Sequence, residues 1–156
     1  MNASPQTPTD LQRAAARKLG IAWLGLCLAL SVHTFDEAST GFLDVYNPTV
    51  VALRQRLGFW PLPTLELRDF LTIMTIVIVT MFALTPFAFR GSRWIRPLLF
   101  VVAMLMLLNG ISHTVATILG RTVGTVHFPR PAPGFYSSPL LLIASIYALW
   151  QLRRTV

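Results

Sequence analysis

Four stretches of this chain carry no charged side chain: residues 19–35, 70–89, 97–120 and 131–152. Each is close to the roughly 20 residues that a helix needs to cross the hydrocarbon core of a bilayer. A water-soluble fold is hard to build around four such runs. Charged residues make up only 12% of the 156 positions, against roughly 25% in soluble domains, so too few polar atoms remain to cover a surface in water. The expected fold class is all-α: an integral membrane four-helix bundle, formed as a single domain over residues 19–153.

The first run is the shortest, and it reaches spanning length only if its helix continues through Asp36 and Glu37. A cleaved signal peptide is the competing reading, since Arg13, Arg17 and Lys18 precede apolar residues. No small-residue cleavage site follows before the acidic pair, which favours a retained span. Residues 1–18 read as a disordered cytoplasmic segment, with "MNASPQTPTD" rich in Pro, Ser and Thr. The single cysteine, Cys27, lies within the first run, which excludes a disulfide scaffold and a cysteine-ligated metal. The net charge of +7 comes from arginines that flank the spans. No basic groove interleaved with aromatics accompanies it, so nucleic acid is not an expected partner.

Those flanking charges set an orientation. With the N-terminus inside, Arg13, Arg17, Lys18, Arg90, Arg93, Arg96, Arg153 and Arg154 are cytoplasmic. Arg54, Arg56, Arg68, Arg121 and Arg130 are external. The positive-inside rule then favours both termini inside, in a plasma or inner membrane. The first external connection contains "PTVVALRQRLGFW", whose apolar positions Val50, Val51, Leu53, Leu57 and Trp60 alternate with arginines. It reads as an amphipathic helix lying in the outer interface. The last connection, "GRTVGTVHFPRPAPGFYSSP", is rich in turn formers. Both lie on one side and together would roof the bundle there.

The polar residues of the spans gather at that same side. At about 1.5 Å per residue from the nearest inner arginine or lysine, His33, Glu37, Asn109, His113 and Asp69 fall roughly 20–32 Å up their helices. His33, Asp36 and Glu37 in "HTFDE" stand at i, i+3 and i+4, and Asn109 and His113 in "NGISH" at i and i+4, so each group shares one helix face. Glu66 and Asp69 repeat the i, i+3 spacing. Ionisable groups at such depth pair with one another or line a wet cavity. Neutral imidazole and carboxylate suit a divalent metal such as zinc, iron or manganese. On this reading His33 and His113 are nitrogen ligands, Glu37 an oxygen ligand, and Glu66 and Asp69 complete the set, while Asn109 holds a ligand or water. The same residues equally suit metal-free acid–base catalysis, with Asp36 and Glu37 exchanging protons. A pocket that binds or transports an ion or lipid without turnover also fits.

These motifs resemble those of the HXXEE family of small membrane proteins, defined by HxxEE, an NxxxH element and a YxPG turn. His33 and Glu37 match the first, with Asp36 in place of its first glutamate, and Asn109 and His113 match the second. Pro133 and Gly134 match the third, with Pro131 where the tyrosine would stand and Tyr136 two residues beyond the glycine. The resemblance covers the chain from the first span to the start of the last. It implies a membrane-embedded enzyme with catalytic residues among Asp36, Glu37 and Asn109, and with Gly134 and Tyr136 at the substrate. The expected partner is a membrane lipid or other lipophilic small molecule entering from the bilayer.

Overall fold

The computed structural model describes residues 8–154, and these are helical with irregular connections. Five helices follow one another: α1 (Pro8–Ser39), α2 (Phe42–Leu57), α3 (Leu67–Phe89), α4 (Ile95–Leu119) and α5 (Ser138–Arg154). Three of them, α1, α3 and α4, are long and apolar enough to cross a membrane.

The helix of the first run extends at both ends beyond its charge-free residues. At its C-terminal end it carries His33, Asp36 and Glu37 on a continuous helix, as the count of spanning residues requires. At the other end it begins at Pro8, so residues 8–18 are helical rather than disordered; residues 1–7 lie outside the described residues. Alanines and arginines over 13–18 are good helix formers, and they let the apolar helix propagate backwards through a segment whose first residues suggested disorder.

The fourth run departs from its expected form. Helix α5 begins at Ser138, not at Pro131, because Pro131, Pro133 and the left-handed Gly134 hold the chain in turns, whereas Pro139 fits a first helical turn, where its missing N–H costs nothing. It is roughly 25 Å long at 1.5 Å per residue, short of the roughly 30 Å hydrocarbon core.

A helix does stand in the first connection, but with other bounds than the sequence suggested. The proline at 48 suggests a start there, yet α2 starts at Phe42 and holds Pro48 in its interior. Gly41, with φ 78°, ends α1 and turns the chain straight into α2. A short polar strap then holds α2 to the segment after it. Asn47 exchanges two hydrogen bonds of 2.9 Å with the backbone of Leu65, and the Tyr46 hydroxyl donates to the Pro63 carbonyl at 2.9 Å. Burial pushes the Tyr46 phenol above its ordinary pKa, against the opposing field of Arg54, so the hydroxyl keeps its proton as the donor.

Helix α1 is the centre of the packing. It runs along α3 and α5, while α4 packs along α5 and touches α1 more sparingly. Its buried stripe, Leu19, Trp23, Leu26, Leu30, His33 and Glu37, steps by three and four residues. One helix face therefore changes from apolar to ionisable without changing direction. Helix α4 repeats the pattern, burying Ile95, Leu99, Ala103, Met106, Gly110 and His113 in turn. Trp23 anchors the apolar half: it is fully buried, and its indole N–H donates to the Met81 carbonyl of α3 at 2.8 Å. Elsewhere the large apolar side chains point outward, among them Ile76, Val79, Leu105, Ile118 and Ile143, as lipid-facing residues do.

Replacing Trp23 by alanine is expected to destabilise the bundle by about 3 kcal/mol or more, since a cavity opens where the ring packs. Trp23→Phe, which loses chiefly the hydrogen bond, is expected to cost about 1 kcal/mol. Thermal unfolding of both variants in detergent checks the order.

Candidate metal centre

His33 and Glu37, one turn apart on α1, meet His113 of α4 at the end of the buried stripes, and all three are buried. Glu37 Oε1 lies 3.3 Å from His33 Nε2 and 3.1 Å from His113 Nε2. One ligand atom from each of the three falls within 4.8 Å of the others, a group that can hold a metal ion. The two imidazoles meet edge to face, with ring centroids 4.9 Å apart. Bonds of about 2.1 Å at tetrahedral to octahedral angles place neighbouring ligand atoms roughly 3.0–3.4 Å apart, and the two measured separations lie in that range.

The hydrogen bonds around His33 decide which of its nitrogens carries a lone pair. The Asp36 Oδ2 atom accepts from the backbone N–H of Ser137 at 2.8 Å and from its hydroxyl at 2.7 Å. The same hydroxyl lies 3.2 Å from the Gly134 carbonyl, but the shorter, charge-assisted bond to the carboxylate takes the proton. The Ser137 oxygen is then an acceptor, and the partner 2.7 Å away is His33 Nδ1, which donates its N–H. His33 Nε2 is left with its lone pair, and the Asn109 amide donates to it at 2.9 Å. That nitrogen, its lone pair engaged by the amide, and a carboxylate oxygen 3.3 Å from it are both electron-rich. A cation or a shared proton between them relieves the repulsion.

The last connection closes the site from above through Gly134. Its φ is 78°, and a Cβ there would lie 2.8 Å from His113 Cε1, 3.0 Å from Glu37 Cγ and 3.0 Å from His33 Cε1. The backbone of one glycine thus rests on all three members of the group. Its N–H donates to the Thr40 hydroxyl at 3.1 Å, and its carbonyl accepts from the Ser138 hydroxyl at 2.8 Å. The ring of Phe42, the first residue of α2, stands with its centroid 6.2 Å from that of His113.

Of the residues singled out in the sequence, the structure therefore brings together His33, Glu37 and His113, with Asp36 and Asn109 bonded to His33 directly or through Ser137. Three others stand elsewhere. Glu66 and Asp69 are exposed at the start of α3; α3 presents Phe70, not Asp69, to its buried side, so equal depth did not mean a shared interior. Tyr136 is 69% exposed and packs beside Phe135, pointing out of the bundle instead of towards a substrate. Gly134 does reach the site, as its roof over the ligands. Two residues escaped the sequence reading: Ser137, whose signal was a hydroxyl just beyond the Pro-Gly turn, and Phe42, whose signal was an aromatic directly after a helix-ending glycine.

No protein-family model, curated protein or solved structure matches this chain. What the fold and the site define is a class: an all-helical protein with three helices able to cross a membrane, and a buried His–Glu–His group that can hold a metal.

Gly134→Ala is expected to lower stability by about 1–3 kcal/mol, because the added methyl meets three buried side chains in a left-handed backbone. Gly124→Ala, with open space around the new methyl, is expected to leave the melting temperature nearly unchanged. Paired thermal unfolding curves check the difference.

Proposed function

We propose that this protein is a membrane-embedded, metal-dependent enzyme of a lipophilic substrate, with His33, Glu37 and His113 holding the metal. The observation that carries the reading is the convergence of two imidazole nitrogens, His33 Nε2 at 3.3 Å and His113 Nε2 at 3.1 Å, on one buried carboxylate oxygen, Glu37 Oε1. Two imidazoles and one carboxylate with remaining positions open suit zinc or ferrous iron, and manganese less well. Once bound, such an ion supplies Lewis-acid polarisation of an oxygen-bearing substrate or of water.

The chain's own residues have separate tasks. Asp36, acting through Ser137, fixes the His33 tautomer and ring orientation, the usual part of a carboxylate behind a ligating histidine. Asn109 lies beside the position that the metal would take, and its amide can turn its oxygen or its nitrogen towards a ligand. Gly134 covers the group on one side. The motif resemblance to the HXXEE family agrees with this set, and membership is part of the proposal. A second reading, metal-free acid–base catalysis, is favoured by one feature: the Asp36–Ser137–His33 chain is a continuous path for a proton.

Metal content by mass spectrometry separates the two. Stoichiometric metal is expected in the wild type and none in His33→Ala or His113→Ala with helicity retained. Ser137→Ala is expected to weaken affinity about 10–100-fold, as loss of an orienting partner does. A metal-free wild type overturns the centre and leaves Asp36 and Glu37 as the acid and base.

The same proposal places four spans with both termini inside, α2 in the outer interface and the site in the outer leaflet half. Helix α5 then completes its crossing with the turn residues before it. Because Cys27 is buried, single cysteines report cleanly. Arg93→Cys is expected to react from the cytoplasmic side only and Thr125→Cys from the outer side only, in sealed vesicles of known orientation. The reverse pattern inverts the topology.

A further inference from the structure

Two cavities that share Phe42 in their walls each border a member of the His–Glu–His group, and their linings differ in kind. One, of about 340 Å³, is bordered by Glu37, Asp44 and Asn47. The other, of about 180 Å³, lies between α2, α4 and the connection after α4, and has His113 and Asn109 in its wall. Its remaining surface is apolar at Val45, Ala116 and Phe128, with neutral hydrogen-bonding groups at Tyr46, Thr49 and Thr122. No Asp, Glu, Lys or Arg lines it. A hydrogen bond of 2.6 Å between the Thr49 and Thr122 hydroxyls joins α2 to the connection beside this cavity.

We propose that the smaller cavity is the substrate site, and that it takes the uncharged polar end of a lipophilic molecule, an alcohol or carbonyl compound, and not a phospholipid headgroup. The inference rests on the enzyme reading above and supplies its substrate class. Size bounds the ligand: an apolar cavity of about 150 Å³ accepts a benzene ring, so this one holds a small head or a single ring while the rest of the molecule stays in the bilayer. Charge bounds it further. A phosphate here would be desolvated without an arginine or lysine to pair it, which costs several kcal/mol. Next to His113, a substrate hydroxyl finds acceptors in the threonine oxygens and a substrate carbonyl finds a donor in the second N–H of the Asn109 amide.

Two photoprobes test the assignment on the full chain in nanodiscs: hexadecanol with a diazirine near its hydroxyl end, and hexadecyl phosphate with the diazirine at the same carbon. Cross-links are mapped by peptide mass spectrometry, with metal content measured on each sample. The alcohol is expected to label residues around Val45, Ala116 or Phe128 about ten-fold more than the phosphate does. Ala116→Trp, which fills the cavity and replaces no member of the His–Glu–His group, is expected to cut that labelling about ten-fold with metal content unchanged. Val45→Phe, filling it from the α2 side, serves if the tryptophan variant does not fold. Equal labelling by alcohol and phosphate overturns the class, and undiminished labelling in the filled variants overturns the site. Metal-loaded protein labelled only at lipid-facing residues such as Leu105 and Ile118 defeats this inference while leaving the metal centre. Metal-free protein labelled in the cavity defeats the metal centre alone.

Discussion

The structure turns on the need to satisfy ionisable groups on a helix face that is otherwise apolar. His33 and Glu37 continue the stripe that Leu19, Trp23, Leu26 and Leu30 begin, so they are driven inward by the same packing that buries the tryptophan. Lipid offers them no partner, and an unpaired charge there is costly. The partners come from three other segments: His113 and Asn109 from α4, the backbone of Gly134, and Ser137 just before α5. The arrangement of α4 and of the final turn around α1 is the geometry in which those groups meet.

This also explains why the apolar half of the bundle is so plain. Between Leu19 and Leu30 the contacts are dispersion contacts between close-packed side chains, with the indole of Trp23 reaching a carbonyl of α3. In a membrane such packing carries association without much help from the hydrophobic effect. Specificity of register then falls to the polar end. A shift of α1 by one residue would carry His33 and Glu37 about 100° around the helix, away from both His113 and Ser137.

Much of this was legible in the sequence where helical periodicity is strict. The spacing in "HTFDE" and "NGISH" placed His33, Glu37, Asn109 and His113 on common faces, and those four meet. Depth was a weaker guide, because distance along a helix says nothing of which way the helix is turned. Asp69 matched the others in depth and still faces outward, its helix being fixed by Phe70 and by contact with α1 alone among the larger interfaces. Turn regions were least legible. Nothing in "PAPGFYSS" distinguishes in advance the exposed Tyr136 from the buried Ser137 beside it; that difference comes from a left-handed residue, Gly134, which redirects the backbone of residues 135–138.

The contact between Asp36 and Ser137 joins residues 101 positions apart, and that separation has a bearing on biogenesis. Chains emerge N-terminus first, so α1 enters the bilayer with His33, Asp36 and Glu37 long before their final neighbours exist. When α4 follows, His113 and Asn109 arrive, but the roof and the serine are still within the ribosome. During that interval Glu37 already has its two histidines, whereas Asp36 lacks both of its Ser137 donors. The group gains its cover when the last helix docks, and a chain stopped before residue 134 would leave His33, Glu37 and His113 without the backbone that lies over them in the finished protein.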